Sequence, residues 1–338
     1  MKNLIQRKRE ILPKATKICA VIKANAYGFG LVKVASSLHN FVDYFAVARV
    51  YELYKLREAG IFTKTIILSP IVDESNIIQA IKMGGEIVVD NEKDLLNINE
   101  ISKSINAIAK VHIKVDTGMN RFGVKDQNIF KNILSLANCL LNVSVVGLFS
   151  HFATGDELCV KEQRRRFESF LNTSNKKGFF PLSHISSSVM SNIYPYDMVR
   201  LGIDLYQINE SIEFSGRILE IKDVIAGEEI GYSHGYLANK DMKIAVIDIG
   251  YGDIAIRHLS NIGQVIINGK RCDIVGNVCM DCLFADITYV EASVGEKAIL
   301  FGKQGECMIS VCDVAEKCGT ISYELFTSIT ERVKREYR

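Results

Sequence analysis

The chain lacks several features, and each absence narrows what it can be. No run of apolar residues approaches the length needed to cross a bilayer, so no membrane partner is expected. Lys and Arg number 41 against 39 Asp and Glu, a formal net charge of +2 that gives no electrostatic case for nucleic acid or an anionic surface. The N-terminus, Met1 to Glu10, is basic and has no apolar signal-peptide core. The nine cysteines are odd in number, and we read them as reduced thiols in a cytoplasmic protein. No low-complexity segment or short repeat stands out, and there are only 4 prolines. What remains is 338 residues of ordinary apolar content, enough for one large domain and a smaller one.

The most informative stretch is residues 18–30. It begins as a short apolar run rich in β-branched residues, as a fully buried parallel strand should be. Lys23 stands where that strand runs out, and a turn with Asn25, Tyr27, Gly28 and Gly30 follows. A rigid strand that delivers an amine to the rim of a sheet places it well to attack a carbonyl. Burial would lower its pKa and make it nucleophilic.

Seven further apolar runs follow, at 44–49, 65–70, 86–90, 111–116, 143–152, 182–187 and 198–206. Helical patterns separate them: 50–59 (ended by Gly60), around 77–81, 93–109, 128–141, 160–175 and 189–193. Eight strands alternating with helices predict an α/β fold, a (β/α)8 TIM-type barrel over residues 1–209. A doubly wound open sheet fits the same alternation. In a barrel, chemistry gathers at the C-terminal strand ends, where Lys23, Arg49, Asp116, His151, Ser187, Ser188 and Arg200 fall. Barrels often hold phosphate after strands seven and eight, and Ser186 to Ser188, Gly202 and Ile203 lie there. A turn or helix cap would use the same serines.

After residue 210 the pattern changes to short strands, at 214–224, 231–235, 243–249, 263–267, 272–275, 283–287 and 298–301. Turns such as Ile267-Asn-Gly-Lys270 suit hairpins, so 210–338 is expected to be a mainly β domain. A helix over 311–318 and a final β segment would close it. Cys279-Met-Asp-Cys282 has metal-ligand spacing, but no second close pair follows and we read buried thiols there, with no metal.

The block Val21-Ile-Lys-Ala-Asn-Ala-Tyr-Gly28 closely resembles the pyridoxal-phosphate (PLP) lysine motif of alanine racemases, the fold-type III, bacterial biosynthetic class. The resemblance runs along nearly the whole chain. It includes Asp116-Thr-Gly-Met-Asn-Arg-Phe-Gly123, Ser150-His-Phe-Ala-Thr154, Met198-Val-Arg-Leu-Gly-Ile203, Gly231-Tyr-Ser233, Val275-Gly-Asn-Val-Cys-Met-Asp281 and Cys318-Gly-Thr-Ile-Ser-Tyr-Glu324.

That resemblance implies PLP as cofactor, with Lys23 and Tyr232 as bases on opposite faces of the substrate. Tyr232 would enter from a partner subunit, so a homodimer with composite sites is implied. Tyr27, Ser188, Gly202, Ile203 and Tyr323 would hold the phosphate, and His151 would pack on the ring. Arg200 would face the pyridine nitrogen; a guanidinium donates and cannot accept a proton, so the ring becomes a weaker electron sink and the proton returns to Cα. Arg121 and the Met280 backbone N–H would hold the substrate carboxylate, and Lys114 would be a candidate for carbamylation. Tyr251 would narrow the entrance.

Some positions depart from the family pattern. Phe29 replaces a frequent histidine, Ser187 a frequent asparagine and Ser233 a frequent glycine. The chain also starts about where the first helix would begin, although family members usually have a strand ahead of it. The implied activity is interconversion of L- and D-alanine for peptidoglycan. A serine or broader racemase and a non-catalytic PLP-binding homeostasis protein share much of the pattern. A basic amino-acid decarboxylase shares the two-domain plan but has an acidic residue where Arg200 stands.

Overall fold

The computed structural model describes residues 1–173, 182–186, 196–206 and 211–337. The chain forms two compact units, Met1–Tyr206 and Gln207–Arg338.

The first unit opens with a helix, Lys2–Ile11, and then lays down eight strands. They are β1 (Lys17–Val21), β2 (Tyr44–Val47), β3 (Lys64–Ile67), β4 (Gly85–Val89), β5 (Ala109–Lys114), β6 (Val143–His151), β7 (Ser183–Ser186) and β8 (Met198–Leu201). Each pairs in parallel with its neighbour, in the order β7-β6-β5-β4-β3-β2-β1-β8. At the remaining seam, the Asp197 N–H donates to the Ser183 carbonyl at 3.0 Å. The Asp197 carboxylate accepts from the Ser183 N–H at 2.7 Å. The sheet therefore curls into a nearly closed barrel, which decides against the open doubly wound alternative.

Alternation along each strand selects what fills the barrel. Cys19, Val21, Tyr44, Ala46, Ile66, Val88, Phe149, Leu182 and Met198 form one interior cluster. The helices Leu31–Leu38, Val50–Glu58, Glu74–Lys82, Glu92–Ser104, Gln127–Cys139 and Glu157–Thr173 follow successive strands. Gly60, at φ 74°, ends the second of these as expected. The Asn91 and Asp126 side chains cap the helices they precede by accepting backbone N–H bonds. The helix expected over 93–109 stops at Ser104, because Asn106 turns left-handed (φ 50°) and Ala109 is already paired in β5. The strand expected over 198–206 ends at Leu201, since Ile203–Leu205 form a 3-10 turn. The short helix expected at 189–193 lies outside the described residues.

The second unit is built on a long antiparallel strand, β9 (Phe214–Val224). A small hairpin of β10 (Glu229–Ile230) and β11 (Tyr236–Leu237) follows. Then come β12 (Met242–Ile247), β13 (Gln264–Ile267), β14 (Lys270–Asp273), β15 (Leu283–Asp286), β16 (Lys297–Gln304) and β17 (Cys307–Ile309). The main sheet runs β14-β13-β16-β9-β12-β15, with β17 on β16. Asn268 and Gly269, both at positive φ, make the tight β13–β14 hairpin turn that the Asn-Gly pair predicts.

Two expectations fail here. Residues 231–235 are not a strand: Gly231 (φ 80°), Ser233 and His234 take positive φ, and Tyr232–His234 forms a 3-10 turn between β10 and β11. The final β segment is a helix, Ser322–Ser328, which buries the adjacent Leu325 and Phe326.

Phe130, fully buried on helix Gln127–Cys139, meets Phe170 of the next helix edge-on at 5.1 Å. Phe130→Ala is expected to lower the unfolding free energy in urea by about 3–5 kcal/mol. Ile129→Ala, one residue away and exposed, should change it by less than about 1 kcal/mol.

Candidate active site

The chain leaves β1 through Ile22 and turns sharply. Ala24, Asn25, Ala26 and Tyr27 all adopt left-handed backbone conformations, with φ between 52° and 55°. This left-handed turn carries Lys23 at its start and Tyr27 at its end. A carboxylate from helix Val50–Glu58 holds it: Glu52 accepts the Ala24 N–H at 2.6 Å and the Ala48 and Arg49 N–H groups at 2.7 and 3.0 Å. Asn25 accepts the Leu31 N–H at 2.8 Å. The fully buried Tyr206 stacks on Tyr27 at 4.6 Å and donates its hydroxyl to the Val21 carbonyl at 3.0 Å.

Lys23 is half-buried. Burial lowers its pKa, and the positive charges of Arg121 and Arg200 lower it further, against a partial offset from Glu52. Arg200, on β8, is 3% exposed. Its guanidinium bonds to His184 Nδ1 and, at 2.8 Å, to the Ser150 carbonyl. Its centre lies 5.0 Å from the Phe149 ring. His151 ends β6, and burial, then Arg200, Arg121, Lys114 and Lys23, hold its imidazole down to about 3. It is therefore neutral at physiological pH.

Lys114 ends β5 and is buried, its amine 5.0 Å from the Phe122 ring and 5.5 Å from Phe149. Arg121 is exposed on the loop beyond it. Asp116 shapes that loop by accepting the Gly118 and Met119 N–H groups at 2.8 and 2.9 Å. Gly123 (φ 121°) packs so closely that a Cβ there would sit 2.6 Å from the Asp116 nitrogen.

Gly202 opens the 3-10 turn that contains Ile203, and a Cβ on Gly202 would lie 3.1 Å from the Tyr27 hydroxyl. Bare backbone beside a phenol is a cradle suited to phosphate oxygens, so these residues fit a PLP phosphate. Ser187 and Ser188 lie outside the described residues.

The second unit holds the other residues singled out in the sequence. Tyr232 is 70% exposed, and the Asn277 amide donates to its carbonyl at 2.8 Å. Met280 is exposed on the loop before β15, its carbonyl accepting from the Gly252 N–H (2.8 Å) and Arg332 (3.1 Å). Tyr323 is half-buried in the first turn of helix Ser322–Ser328, and Tyr251 is partly exposed.

The family model for the alanine racemase N-terminal domain matches residues 1–210, and that for the C-terminal domain matches 211–337. The chain belongs to the alanine racemase family. An alanine racemase of Halothermothrix orenii is 36% identical, over 98% of this chain and 92% of that protein. The solved alanine racemase of E. faecalis is 31% identical with a TM-score of 0.93, covering 100% of this chain and 95% of that one. That of Bacillus anthracis, solved with bound L-Ala-P, is 30% identical with a TM-score of 0.90, covering 98% and 91%.

Beyond the family motifs, sequence reading misses two supports of the Lys23 turn. Glu52 carries one available signal, an acidic residue in a first helical turn just after an apolar strand. Tyr206 carries none, because it looks like the end of a strand.

Two measurements probe this geometry. Glu52→Ala removes the acceptor of three backbone N–H groups and is expected to cost about 1.5–3 kcal/mol. Faster hydrogen exchange confined to Ala24, Ala48 and Arg49 should accompany that loss.

The second concerns Lys114, whose amine burial holds down to about 8, with Arg121 and Arg200 adding to the effect. Between about pH 8 and the ordinary value of 10.5, the unfolded chain holds more protons at this site than the folded one. Stability from this group therefore rises with pH across that window, and below it the folded state carries the cost of a buried charge. In buffer free of carbon dioxide, Lys114→Met should remove that rise and add about 1–3 kcal/mol at pH 7 in urea titrations.

Proposed function

We propose that the protein racemises alanine with PLP held through Lys23. Supporting this reading above all is Lys23 itself, an amine with a lowered pKa, fixed by a left-handed turn at the C-terminal end of β1. When bound, PLP supplies an electron sink conjugated to the substrate Cα. Lys23 Nζ holds or returns a proton on one face of that carbon, and Tyr232 Oη serves the other face. Arg200 would donate to the pyridine nitrogen and offer it no proton, which would favour return of the proton to Cα over transamination.

Tyr27, Ser188, Tyr323 and the Gly202 and Ile203 amides are assigned to the phosphate. His151, neutral, would pack on the ring. Arg121 and the Met280 N–H take the substrate carboxylate, and Tyr323 leaves room for a methyl side chain. Tyr232 is assigned to the site of a partner subunit in a homodimer, and its exposure within its own unit suits that.

Lys114, with its amine held down to about 8, is assigned as a carbamate. Its nitrogen adds carbon dioxide and loses a proton, and the new negative charge steadies Arg121. Among the described residues no helix is long and apolar enough to cross a membrane. We place the enzyme in the cytoplasm, supplying D-alanine to peptidoglycan.

The test follows the optical rotation of L-alanine with purified protein and PLP, beside Lys23→Ala. Loss of rotation with wild type and none with the variant is expected. Faster turnover of L-serine would overturn alanine as substrate. A PLP-loaded wild type inert toward both would point to the non-catalytic reading.

A further inference from the structure

Four buried polar side chains cross the barrel interior in a line that the proposed chemistry does not use in full. Glu86 on β4 is 3% exposed, and His112 on β5 and His184 on β7 are both 0% exposed. Glu86 Oε2 lies 2.6 Å from His112 Nε2. His112 Nδ1 lies 3.3 Å from His184 Nε2, and His184 Nδ1 bonds to Arg200 Nη1.

The proton positions follow from the end of the line. A guanidinium only donates, so His184 Nδ1 accepts from Arg200. His184 is neutral, because burial and then Arg200 and His112 push its pKa well below the ordinary value. Its one proton therefore sits on Nε2 and is donated to His112 Nδ1. The proton of His112 must then sit on Nε2, facing Glu86. A carboxylate accepts only, so each bond in the line runs from Arg200 toward Glu86.

The chain commits local structure to this line. β6 carries an extra residue opposite the Val111–His112 step, which brings Gly147 level with His112. A Cβ on Gly147 would stand 2.3 Å from His112 Nδ1. The Phe149 ring stacks on His184 at 5.0 Å and also faces Arg200. Tyr44 neighbours Glu86, whose charge adds to burial in holding the phenol protonated.

We propose that Glu86 is a positioning residue for racemisation: it fixes the proton direction through His112 and His184, and so the orientation of Arg200. This rests on the reading that Arg200 faces the cofactor's ring nitrogen. Glutamine at position 86 keeps the shape but can donate as well as accept. The reversed line it permits would put a His184 Nδ1–H against an Arg200 N–H, and that clash would turn the guanidinium away.

The experiment reads the ring nitrogens of His112 and His184 by NMR in the full chain, with and without PLP, and measures kcat and KM. In wild type both rings should be neutral and protonated at Nε2. In Glu86→Gln, Nδ1-protonated forms should appear, and kcat should fall about tenfold with KM little changed. An Nδ1-protonated or doubly protonated His184 in wild type would overturn the proposal. So would a Glu86→Gln protein whose tautomers or kcat match wild type. If Glu86→Gln does not fold, the wild-type tautomers decide alone. A wild type with the expected tautomers but no racemase activity would count against the proposed function and not against the proton direction.

Discussion

The left-handed turn after β1 is the constraint on which the site depends. Residues other than glycine resist that conformation because the Cβ crowds the following carbonyl, at about 1–2 kcal/mol each. Here four such residues stand in succession, and only Asn25 tolerates the geometry readily. The turn persists because its surroundings over-determine it. Glu52 gathers three backbone donors, Asn25 ties the exit to helix Leu31–Leu38, and Tyr206 packs beneath Tyr27. A strained turn of this kind holds Lys23 and Tyr27 in fixed relation. It also binds β1 to the helix after β2 and to the segment leaving β8.

Around that turn the first unit gathers positive charge that nearby carboxylates, Glu52 at Lys23 and Asp90 and Asp116 at Lys114, only partly offset. Lys23, Lys114 and His151 all have their pKa values lowered by burial, and Arg121 and Arg200 contribute to each shift. Groups that repel one another in this way form a site that an anion relieves. A ligand carrying a phosphate and a substrate carrying a carboxylate would both lower the energy of the cluster. The same repulsion keeps His151 neutral, so it can lie flat on an aromatic ring without adding a further cation. Electrostatic cost in the free protein and affinity for anionic ligands are thus one property seen from two sides.

Much of the barrel was legible in the sequence because its strands are short, apolar and bounded by glycine or by helical periodicity. Gly60 marked a helix end, and Asn268-Gly269 a hairpin, for reasons of backbone geometry alone. The misread segments share a cause. Around Tyr232 and Tyr323 an aromatic among small residues reads as strand, yet positive φ at Ser233 and burial of Leu325 with Phe326 impose turns and helix. Site residues inside motifs, such as Lys23, Arg121 and Arg200, could be picked out one by one. Tyr206 and Glu86 could not, because each acts on a partner far along the chain: Tyr206 reaches Val21 across 185 positions, and Glu86 reaches His112 across 26. Strand pairing brings Glu86 to His112, and the pairing of β1 with β8 brings Tyr206 to Val21.

The two units solve the problem of holding a side chain in different ways. In the barrel, strand ends do the work, and the interior alternation sets which side chain points inward. In the second unit Tyr323 stands on a helix, but Tyr232 and Met280 stand on a turn and a loop, which need other means of rigidity. Arg332 bridges Asp253 and Asp281 while also donating to the Met280 carbonyl. Gly250 lies so close that a Cβ there would meet the same carbonyl oxygen at 2.1 Å. Asn277 clasps the Tyr232 backbone, and the Arg257 guanidinium in turn holds the Asn277 carbonyl oxygen at 3.2 Å. The Met280 carbonyl is thus held by a guanidinium and the Tyr232 carbonyl by a side-chain amide that a second guanidinium orients. Such fixing matters for any side chain that does chemistry, since about 1 Å of misplacement can cost about a hundredfold in rate.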